Sequence, residues 1–395
     1  MAKPALTYSQ ALLIFLSLCG FWTLWVFPYQ NGLLAILGKQ SEPGAVIPGP
    51  TPAPMKQTYT GVKVVDKQLT TLVSFFYTAI DGNRADVSLS FLYLGGQVLA
   101  AWILITIEGL RAGNQTKFWL TTTTLLGVGV AIIGYACIIP LWFALHLGLS
   151  PTAVNPRDFD LIVNTPAKLA LAPVSILLGF GVPSLLMCLP APAWLSFEAK
   201  QTWTGIQQGW SIWIGITQYI LTSVVLNRHP RATTLTESAK RTETIKYLRG
   251  AYTLAILVSA GSHLFPWILS LLAYAFPVLF SSTYLAQLQP SRIFVPVLPF
   301  GPHEVKVLAD GALWFLQWDI LVGVTATLVW ALTLEVAARP GPLSTKRNLT
   351  GSLGVALVTL AIGPCGAAAA LLWARDEIVF RNSTGEDSTV TKKHE

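Results

Sequence analysis

Charged side chains are scarce in this sequence. Asp, Glu, Lys and Arg together make up 11% of the 395 residues, whereas hydrophobic residues make up 53%. So few charges cannot cover the surface of one water-soluble globule of this length, and the composition therefore predicts an integral membrane protein. The formal net charge of +7 has to be read by position, because basic residues beside membrane spans mark the cytoplasmic side rather than a nucleic-acid partner.

Several motifs that carry catalytic chemistry are also missing. The sequence has no DDxxD, DxDD or NxxxDxxxD pattern, which are the aspartate clusters that hold magnesium on a diphosphate. It has no P-loop, dinucleotide glycine fingerprint, HExxH helix or GxSxG elbow. The four cysteines lie inside apolar runs without the spacing of a metal site, and the DxD at Asp158 and Asp160 is too short a match to predict one. We therefore expect neither a metal nor a cofactor.

Long apolar runs predict an all-α, polytopic bundle of about eight transmembrane helices. About 20 apolar residues are needed to cross a bilayer. The runs lie approximately at 8–29, 81–114, 118–147, 169–189, 202–226, 248–280, 308–336 and 351–373. A shorter apolar piece, 69–80, predicts an interfacial or re-entrant helix. We assign residues 1–375 to one transmembrane domain.

Two polar segments interrupt the apolar pattern. The segment 40–66 contains PGAVIPGPTPAP, and so many prolines predict a loop because they cannot form a regular helix or a central strand. The last segment, 376–395, is polar and low in aromatic residues, which predicts a disordered tail.

Basic residues in two loops predict the orientation in the membrane. The fifth and seventh loops should be cytoplasmic, and an even number of spans then places both termini on the lumenal side. This topology exposes the sequons at Asn114 and Asn382 to glycosylation, but not the sequon at Asn348. We expect a multi-pass protein of the endoplasmic reticulum membrane. The basic residues concerned are Arg228, Arg231, Lys240, Arg241, Lys246 and Arg249 in the fifth loop, and Arg339, Lys346 and Arg347 in the seventh.

The second predicted span carries polar groups along one helical face. Tyr93, Gln97 and Glu108 follow steps of three or four residues, with Ala101 and Leu104 between them. Because lipid penalises polar groups, this face should turn towards protein or a cavity. Glu108 is a candidate acid, and Gln97 and Tyr93 are candidate substrate contacts. The alternative for Glu108 is a structural role near the membrane interface.

Polar residues also stand at both ends of that span. Asp81 precedes Gly82 at its start, where it is either a second candidate acid or an ordinary turn residue. Arg111 and Asn114 close the span, where they either bind the polar end of a substrate or anchor the helix at the interface.

Asp319 is the clearest candidate for chemistry. It lies within about three residues, roughly 5 Å along the axis, of the middle of its predicted span. A charged aspartate at that depth costs on the order of 2.5 to 3.5 kcal/mol, so we expect a neutral acid that can give its proton to a substrate. The alternative is a hydrogen-bonded carboxyl that ties two helices together. Asp310, nine residues earlier, faces away from Asp319 on a straight helix.

Aromatic residues are abundant, with 14 Trp, 18 Phe and 11 Tyr. Gln207 and Trp210 belong to a stripe at helical spacing in the fifth predicted span, and Trp314 and Trp318 stand close to Asp319. These rings either pack and anchor the helices, or form a pocket whose faces attract a developing cation, worth about 0.5 to 2 kcal/mol per ring. A buried acid among aromatic walls suits acid-initiated carbocation chemistry on a hydrophobic polyene.

Four short motifs resemble a family of fungal multi-span membrane proteins. They are FFYTAIDG, IEGLRAGN, SPTA at 150–153 and FLQWDILVG at 315–323. The family contains terpene cyclases of meroterpenoid pathways, of the macrophorin and ascofuranone type, and membrane proteins of indole-diterpene pathways. The resemblance implies metal-independent cyclisation of a prenyl chain on an aromatic or polyketide head, begun by protonating an olefin or epoxide. The matching polar positions are Asp81, Glu108, Arg111, Asn114 and Asp319, and the resemblance does not say which is the acid.

We therefore expect a membrane-bound terpene cyclase of secondary-metabolite biosynthesis. Its expected partners are a hydrophobic prenylated substrate and the lipid bilayer, without any nucleic acid, and other membrane-bound pathway enzymes are further candidate partners. Two alternatives remain open. One is an exporter of the same metabolite, and the other is a non-catalytic scaffold that holds other membrane-bound pathway enzymes.

Overall fold

The chain folds as a bundle of α-helices, which confirms the predicted all-α class. The computed structural model describes residues 2–49, 51–230, 234–339 and 345–383, and these ranges contain no β-strand. The principal helices are α1 (Ala2–Phe21), α2 (Leu33–Gln40), α3 (Lys63–Ile80), α4 (Ala85–Leu110), α5 (Thr123–Ile133), α6 (Tyr135–Leu149), α7 (Pro166–Ile176), α8 (Phe197–Gln208), α9 (Trp210–Arg228), α10 (Glu237–Ala275), α11 (Leu308–Ala338), α12 (Thr345–Ile362) and α13 (Pro364–Ser383).

Shorter helical pieces extend or link these helices. Two π-helical turns lengthen α1 and α7, and the remaining pieces lie in the connections. They are Trp22–Val26 with Phe27–Gln30, Ala112–Asn114, Phe118–Thr121, Asp158–Leu161, Leu177–Gly181 with Val182–Cys188, Pro277–Leu279, Ser282–Leu285 and Pro290–Phe294.

Five helical stretches in the described part of the chain are long and apolar enough to cross a membrane. They are Leu6–Gln30, α4, Pro166–Cys188, α10 and α11. Helices α8 and α9 form a sixth crossing if they are counted as one span that bends by 70°. The other two of the eight predicted spans are broken in the middle, so the predicted number is not confirmed.

The third predicted span turns back on itself. Gly134, with φ of +109°, separates α5 from α6. Trp142 in α6 donates a hydrogen bond to the carbonyl of Trp119 just before α5 (3.1 Å), so the outer ends of the two arms lie together. Gln10 near the start of α1 donates to the carbonyl of Ala144 (3.1 Å). Helices α5 and α6 therefore form a hairpin that enters the bundle and returns to the end where α1 begins.

The last predicted span also forms a hairpin. Helices α12 and α13 meet at Gly363. A Cβ atom there would lie 2.7 Å from the Ser259 hydroxyl and 3.1 Å from the Gln97 amide. Ser259 and Gln97 are in the middle of α10 and α4, so the tip of the hairpin lies halfway along these helices. Helix α13 then returns, because Arg241 near the start of α10 donates to the carbonyl of Phe380 (2.7 Å). Both predicted spans that fail are thus re-entrant pairs of helices, which a membrane tolerates when neighbouring protein covers the break.

These hairpins change the predicted sidedness. Thr333 near the end of α11 donates to the Ser9 hydroxyl (2.9 Å), so the start of α1 lies beside the end of α11. The end of α13 lies beside the start of α10. Both ends of the described chain therefore share one side with the two basic loops. The prediction that the termini lie opposite these loops is wrong, because two segments counted as crossings do not cross.

The predicted glycosylation sites change accordingly. The Asn114 side chain is fully buried, donates to the carbonyl of Glu108 (2.8 Å) and accepts from the Ser150 hydroxyl (2.6 Å). Glycosylation at Asn114 is therefore incompatible with this fold. Asn382 is exposed but lies on the side of the basic loops. The Asn348 side chain is outside the described residues.

The two predicted polar segments have different outcomes. The proline-rich loop is shorter than the predicted 40–66, because α2 ends at Gln40 and α3 begins at Lys63. Ile47 and Met55 anchor the loop against Tyr77 of α3. The tail does not become irregular at residue 376, because α13 continues to Ser383 and buries Asp376 at 3% exposure. Residues 384–395 lie outside the described part of the chain.

Candidate active site

A cavity of about 240 Å³ lies within the bundle, between α3, α4, α11 and the tip of the α5–α6 hairpin. Most of its wall is apolar. Among the lining residues that the structure describes, Asp319 is the one carboxylic acid. Eight aromatic side chains line the cavity: Trp25, Phe75, Phe76, Phe91, Tyr135, Phe180, Trp210 and Phe315. The chemical character is that of a hydrocarbon-binding chamber with a single acid in its wall.

The Asp319 carboxyl is held by the start of α6. Its side chain is 5% exposed, and Oδ1 accepts a hydrogen bond from the backbone N–H of Ala136 at 2.7 Å. That N–H is one of the donors that a helix leaves without an internal partner at its first turn. The contact ties α11 to α6, as the structural alternative expected, and it also places the acid at the cavity wall.

Gly134 allows this approach of α6 to α11. A Cβ atom at Gly134 would lie 2.6 Å from Cδ1 of Leu24 and 3.7 Å from Oδ1 of Asp319. The φ of +109° is a backbone conformation that other residues rarely adopt. The chain reversal at Gly134 therefore places the first turn of α6 next to the Asp319 carboxyl.

Two predicted substrate-binding residues line the cavity. Gln207 and Trp210 stand on either side of the 70° bend between α8 and α9. The Trp210 ring packs edge-to-face on Trp102, with 4.5 Å between the ring centroids. Gln207 accepts a hydrogen bond from the Gln208 amide at 3.0 Å. The bend therefore presents two amides and one indole to the chamber.

The other two predicted tryptophans lie elsewhere. The Trp314 ring stacks on Phe27 at 6.2 Å between centroids, and Trp318 donates from Nε1 to the carbonyl of Val297 at 2.9 Å. Neither residue lines the cavity. Both tryptophans join α11 to neighbouring segments, as the packing alternative predicted.

Tyr93 and Gln97 face protein as predicted, but they do not line the cavity. Gln97 donates from Nε2 to the Ser259 carbonyl and accepts at Oε1 from the backbone N–H of Cys365, at 3.0 and 3.1 Å. The Tyr93 ring lies 5.6 Å from the ring of His263 between centroids. Gln97 therefore fastens the tip of the α12–α13 hairpin to α4 and α10.

Glu108 lies in a fully buried ionic cluster, away from the cavity lining. Arg375 donates from Nη2 to Oε1 at 2.6 Å, and the Thr152 hydroxyl donates to Oε2 at 2.8 Å. His146 Nε2 is 3.2 Å from Oε2. A carboxylate paired in this way accepts hydrogen bonds, so the geometry gives no support to Glu108 as a proton donor.

Arg111 extends the same cluster. It donates from Nη2 to Asp376 at 2.5 Å and to the Tyr252 hydroxyl at 3.1 Å. Arg111 and Asn114 are both fully buried, so neither contacts the end of a substrate in this structure. The motifs IEGLRAGN and SPTA thus build one buried polar cluster, which joins α4, α6, α10 and α13.

Asp81 lies beside a separate cavity of about 190 Å³. Its Oδ1 accepts from the backbone N–H of Asn83 at 2.9 Å, which is the turn geometry of the structural alternative. Lys200 lines the same cavity and donates to the carbonyls of Ile80 and Leu189. Asp81 and Asp319 therefore do not share a site.

The DxD segment has its carboxylates in ion pairs. Asp158 pairs with Arg241 at 2.8 Å, and Asp160 pairs with Arg157 at 3.2 Å. Within the described ranges, no three His, Cys, Asp or Glu side chains are grouped as a metal site requires.

Several cavity residues are missing from the predicted site. The motif FFYTAIDG points to Asp81, but its first two residues, Phe75 and Phe76, are the ones that line the cavity. FLQWDILVG likewise contributes Phe315 together with Asp319. The signal was present in the motifs, although helical spacing alone does not say which aromatic side chains face the acid.

Comparison with known proteins gives matches over nearly the whole chain. The family model described as the CtvD domain matches residues 9–380. Terpene cyclase ctvD of Aspergillus terreus is 27% identical over 372 residues, which cover 92% of this chain and 98% of that protein. Terpene cyclase verU1 of Penicillium polonicum is 26% identical over 391 residues, or 98% and 99% of the two chains. Terpene cyclase ascI of Acremonium egyptiacum is 26% identical over 372 residues, or 92% and 90%. No solved structure matches the chain.

Proposed function

The chain belongs to the CtvD-domain family, whose model matches residues 9–380, and from this premise we propose that it is a membrane-bound terpene cyclase. The relatives compared above are named terpene cyclases and align over at least nine-tenths of their own length. The substrate is a hydrophobic prenylated intermediate of meroterpenoid or indole-diterpene biosynthesis. The enzyme works in the endoplasmic reticulum membrane.

One observation carries the proposed mechanism: the Asp319 carboxyl lies in the wall of a cavity lined by eight aromatic rings. Asp319 gives its proton to a terminal olefin or epoxide of the prenyl chain. The alkene electron pair forms the new C–H bond, or the epoxide oxygen takes the proton as its C–O bond breaks, and either step leaves a carbocation. Neighbouring alkenes then close rings by forming C–C bonds, and loss of a proton to the Asp319 carboxylate ends the cascade.

The start of α6 stabilises the carboxylate that remains after proton transfer. The Ala136 N–H already donates to Oδ1, and the first turn of a helix carries a partial positive charge. Such a fixed donor needs no reorganisation when charge develops. Proton transfer from Asp319 is therefore less costly than transfer from an unsupported acid at the same depth.

The aromatic walls act on the cation. A ring face near a cation contributes about 0.5 to 2 kcal/mol, with the larger values where water is excluded. The Trp210 and Phe180 rings are held edge-to-face, with centroids 5.7 Å apart, so their orientation is fixed before the substrate binds. Such a wall can favour one conformation of the substrate's prenyl chain and can shield the cation from water.

Asp319→Asn tests this mechanism. The substitution keeps the shape and the hydrogen bond from Ala136 but removes the acidic proton. We expect cyclised product from microsomes given prenylated aromatic substrates to fall by about 10²- to 10⁴-fold, the usual contribution of a positioned acid. Product should be normalised to folded protein by fluorescence-detected size exclusion.

The matched control is Asp310→Asn on the same helix, where the carboxylate pairs with Arg84 and Arg292 away from the cavity. It should retain cyclisation per folded molecule. Unchanged product from a folded Asp319→Asn variant would contradict Asp319 as the donor. Absence of cyclised product from both wild type and variants, together with loss of metabolite export in cells lacking the protein, favours the exporter instead.

A further inference from the structure

A second, larger chamber adjoins the cavity that contains Asp319. Its volume is about 670 Å³, and it lies between α3, α5 and the bend between α8 and α9. The two spaces share a wall, because five residues line both of them: Gln68, Leu72, Ala131, Ile132 and Gln208. We refer to them as the inner cavity and the outer chamber.

Polar side chains line both spaces, and in the outer chamber four of them belong to one stretch of the chain. Lys56, Thr58, Tyr59 and Thr60 line one end of the outer chamber. The Tyr59 hydroxyl is buried and has no hydrogen-bond partner among the described residues. A buried hydroxyl without a partner costs free energy, which a polar atom of a ligand can recover by bonding to it.

The backbone around Tyr59 is fixed by Asp66. The Asp66 carboxylate accepts from the N–H groups of Tyr59 and Thr60, at 3.1 and 2.7 Å, and from that of Gly61 at 3.0 Å. The bond from Thr60 helps to hold the pKa of Asp66 below its ordinary value. Tyr59 also packs closely on Gly205, where a Cβ atom would lie 2.9 Å from its ring. The backbone that carries the Tyr59 side chain is therefore fixed before any ligand arrives.

Size separates the roles of the two spaces. The inner cavity, at about 240 Å³, is smaller than the roughly 300 to 1,000 Å³ of ordinary small-molecule sites. It suits a folded hydrocarbon chain without a ring system attached. The outer chamber supplies the missing volume directly beside it.

Exposed apolar side chains form the rim of the outer chamber. Val64, Val65, Ile212 and Trp213 are 80%, 43%, 41% and 37% exposed, respectively. Apolar groups at the rim of an opening permit access from lipid rather than from water. A substrate dissolved in the bilayer can therefore enter the outer chamber at this rim.

We propose that the outer chamber binds the oxygenated head group of the substrate while its prenyl tail occupies the inner cavity. Tyr59 donates a hydrogen bond to the head group. Gln68 and Gln208, on the shared wall, fix the length of tail between the head group and the atom that Asp319 protonates. This assignment rests on the proposed cyclase function, and it makes Tyr59 a residue that determines substrate specificity.

Tyr59→Phe tests the assignment with two substrates that share a farnesyl tail. One carries a hydroxybenzoate ester as head group, and the other ends in a methyl group. We expect KM for the first substrate to rise about three- to tenfold with kcat unchanged, because one neutral hydrogen bond is lost. The substrate without a head group should be cyclised as by the wild type. Tyr219→Phe, at a tyrosine that is 75% exposed and lines neither space, is the matched control.

Equal effects of Tyr59→Phe on both substrates, or no effect on either, would overturn the assignment. Asp319→Asn should lower product from both substrates by the same large factor, so a failure of the proposed acid is distinguishable from a failure of the head-group site.

Photolabelling gives a readout that does not need turnover. A farnesylated hydroxybenzoate with a diazirine on its ring, bound to the Asp319→Asn protein, should label peptides within 56–69 or 202–213. A diazirine at the far end of the tail should label Phe75, Phe315 or their neighbours. Ring labels confined to the inner cavity, or located outside both spaces, would contradict the proposal.

Discussion

Glu108 and Asp319 are both buried acids, but their surroundings give them different roles. Asp319 accepts a hydrogen bond from the backbone N–H of Ala136 and lines a cavity, whereas Glu108 is paired with Arg375 and bonded to Thr152. The cluster around Glu108 contains two carboxylates and two guanidinium groups, so its formal charges balance. Removal of one charge leaves a partner buried without compensation.

We therefore predict that Glu108→Gln damages stability rather than chemistry. Breaking one partner of a buried ion pair costs about 3 to 5 kcal/mol, because Arg375 keeps its charge. The melting temperature, measured by fluorescence-detected size exclusion, should fall strongly. Product per folded molecule should stay near that of the wild type. Normal melting combined with lost product would instead identify Glu108 as the proton donor.

Individual residues of the site could be predicted only in part from the sequence. Depth in the membrane predicts Asp319, and helical spacing predicts Gln207 and Trp210; all three line the inner cavity. Helical spacing also predicts Gln97, and proximity to Asp319 in the sequence predicts Trp318, but neither residue lines either space. Spacing identifies residues that share a face of one helix. It contains no information about which neighbouring helix covers that face.

At the scale of helices, the largest difference between prediction and structure is the pair of re-entrant hairpins. Hydropathy counts apolar residues, and a hairpin of two short helices has as many as one straight crossing. The breaks are at glycines with positive φ, Gly134 and Gly363. A glycine inside an apolar run is tolerated in ordinary helices, so sequence alone did not mark either position as a turn.

Gly134→Ala should disturb the hairpin tip and with it the acid. A side chain there meets Leu24 and forces an unfavourable φ, at a cost of about 1 to 3 kcal/mol. We expect less folded protein and about tenfold less product per folded molecule, because the Ala136 N–H moves away from Asp319. Gly261→Ala in α10, where no atom lies within 4 Å of the added Cβ, is the control. Equal activity of the two variants would argue against a role for the break.

At the scale of the whole molecule, the contacts between helix ends decide the topology. The all-α bundle and the membrane setting were predictable from composition, since 53% of residues are hydrophobic and only 11% are charged. The side of the membrane on which each loop lies was not predictable from composition. Each hairpin that is mistaken for a crossing reverses the predicted direction of every crossing after it. With both hairpins included, the basic residues Arg375 and Arg381 fall on the same side as the basic loops, as the positive-inside rule requires.

We predict that both termini and the two basic loops are cytoplasmic. Epitope tags at either terminus should be digested by protease added to intact microsomes, and Asn382 should remain unglycosylated. A sequon inserted into the connection 295–307, which leads to the start of α11, should be glycosylated. Protection of both terminal tags from protease, together with glycosylation of Asn382, would show that the protein has the opposite orientation.

The apolar rim of the outer chamber determines which concentration of substrate the protein experiences. With the proposed entry from lipid, the relevant quantity is the number of substrate molecules per lipid molecule in the membrane rather than the amount per volume of buffer. With the proposed entry route, a hydrophobic substrate reaches the enzyme by lateral diffusion in the bilayer, without dissolving in the cytosol.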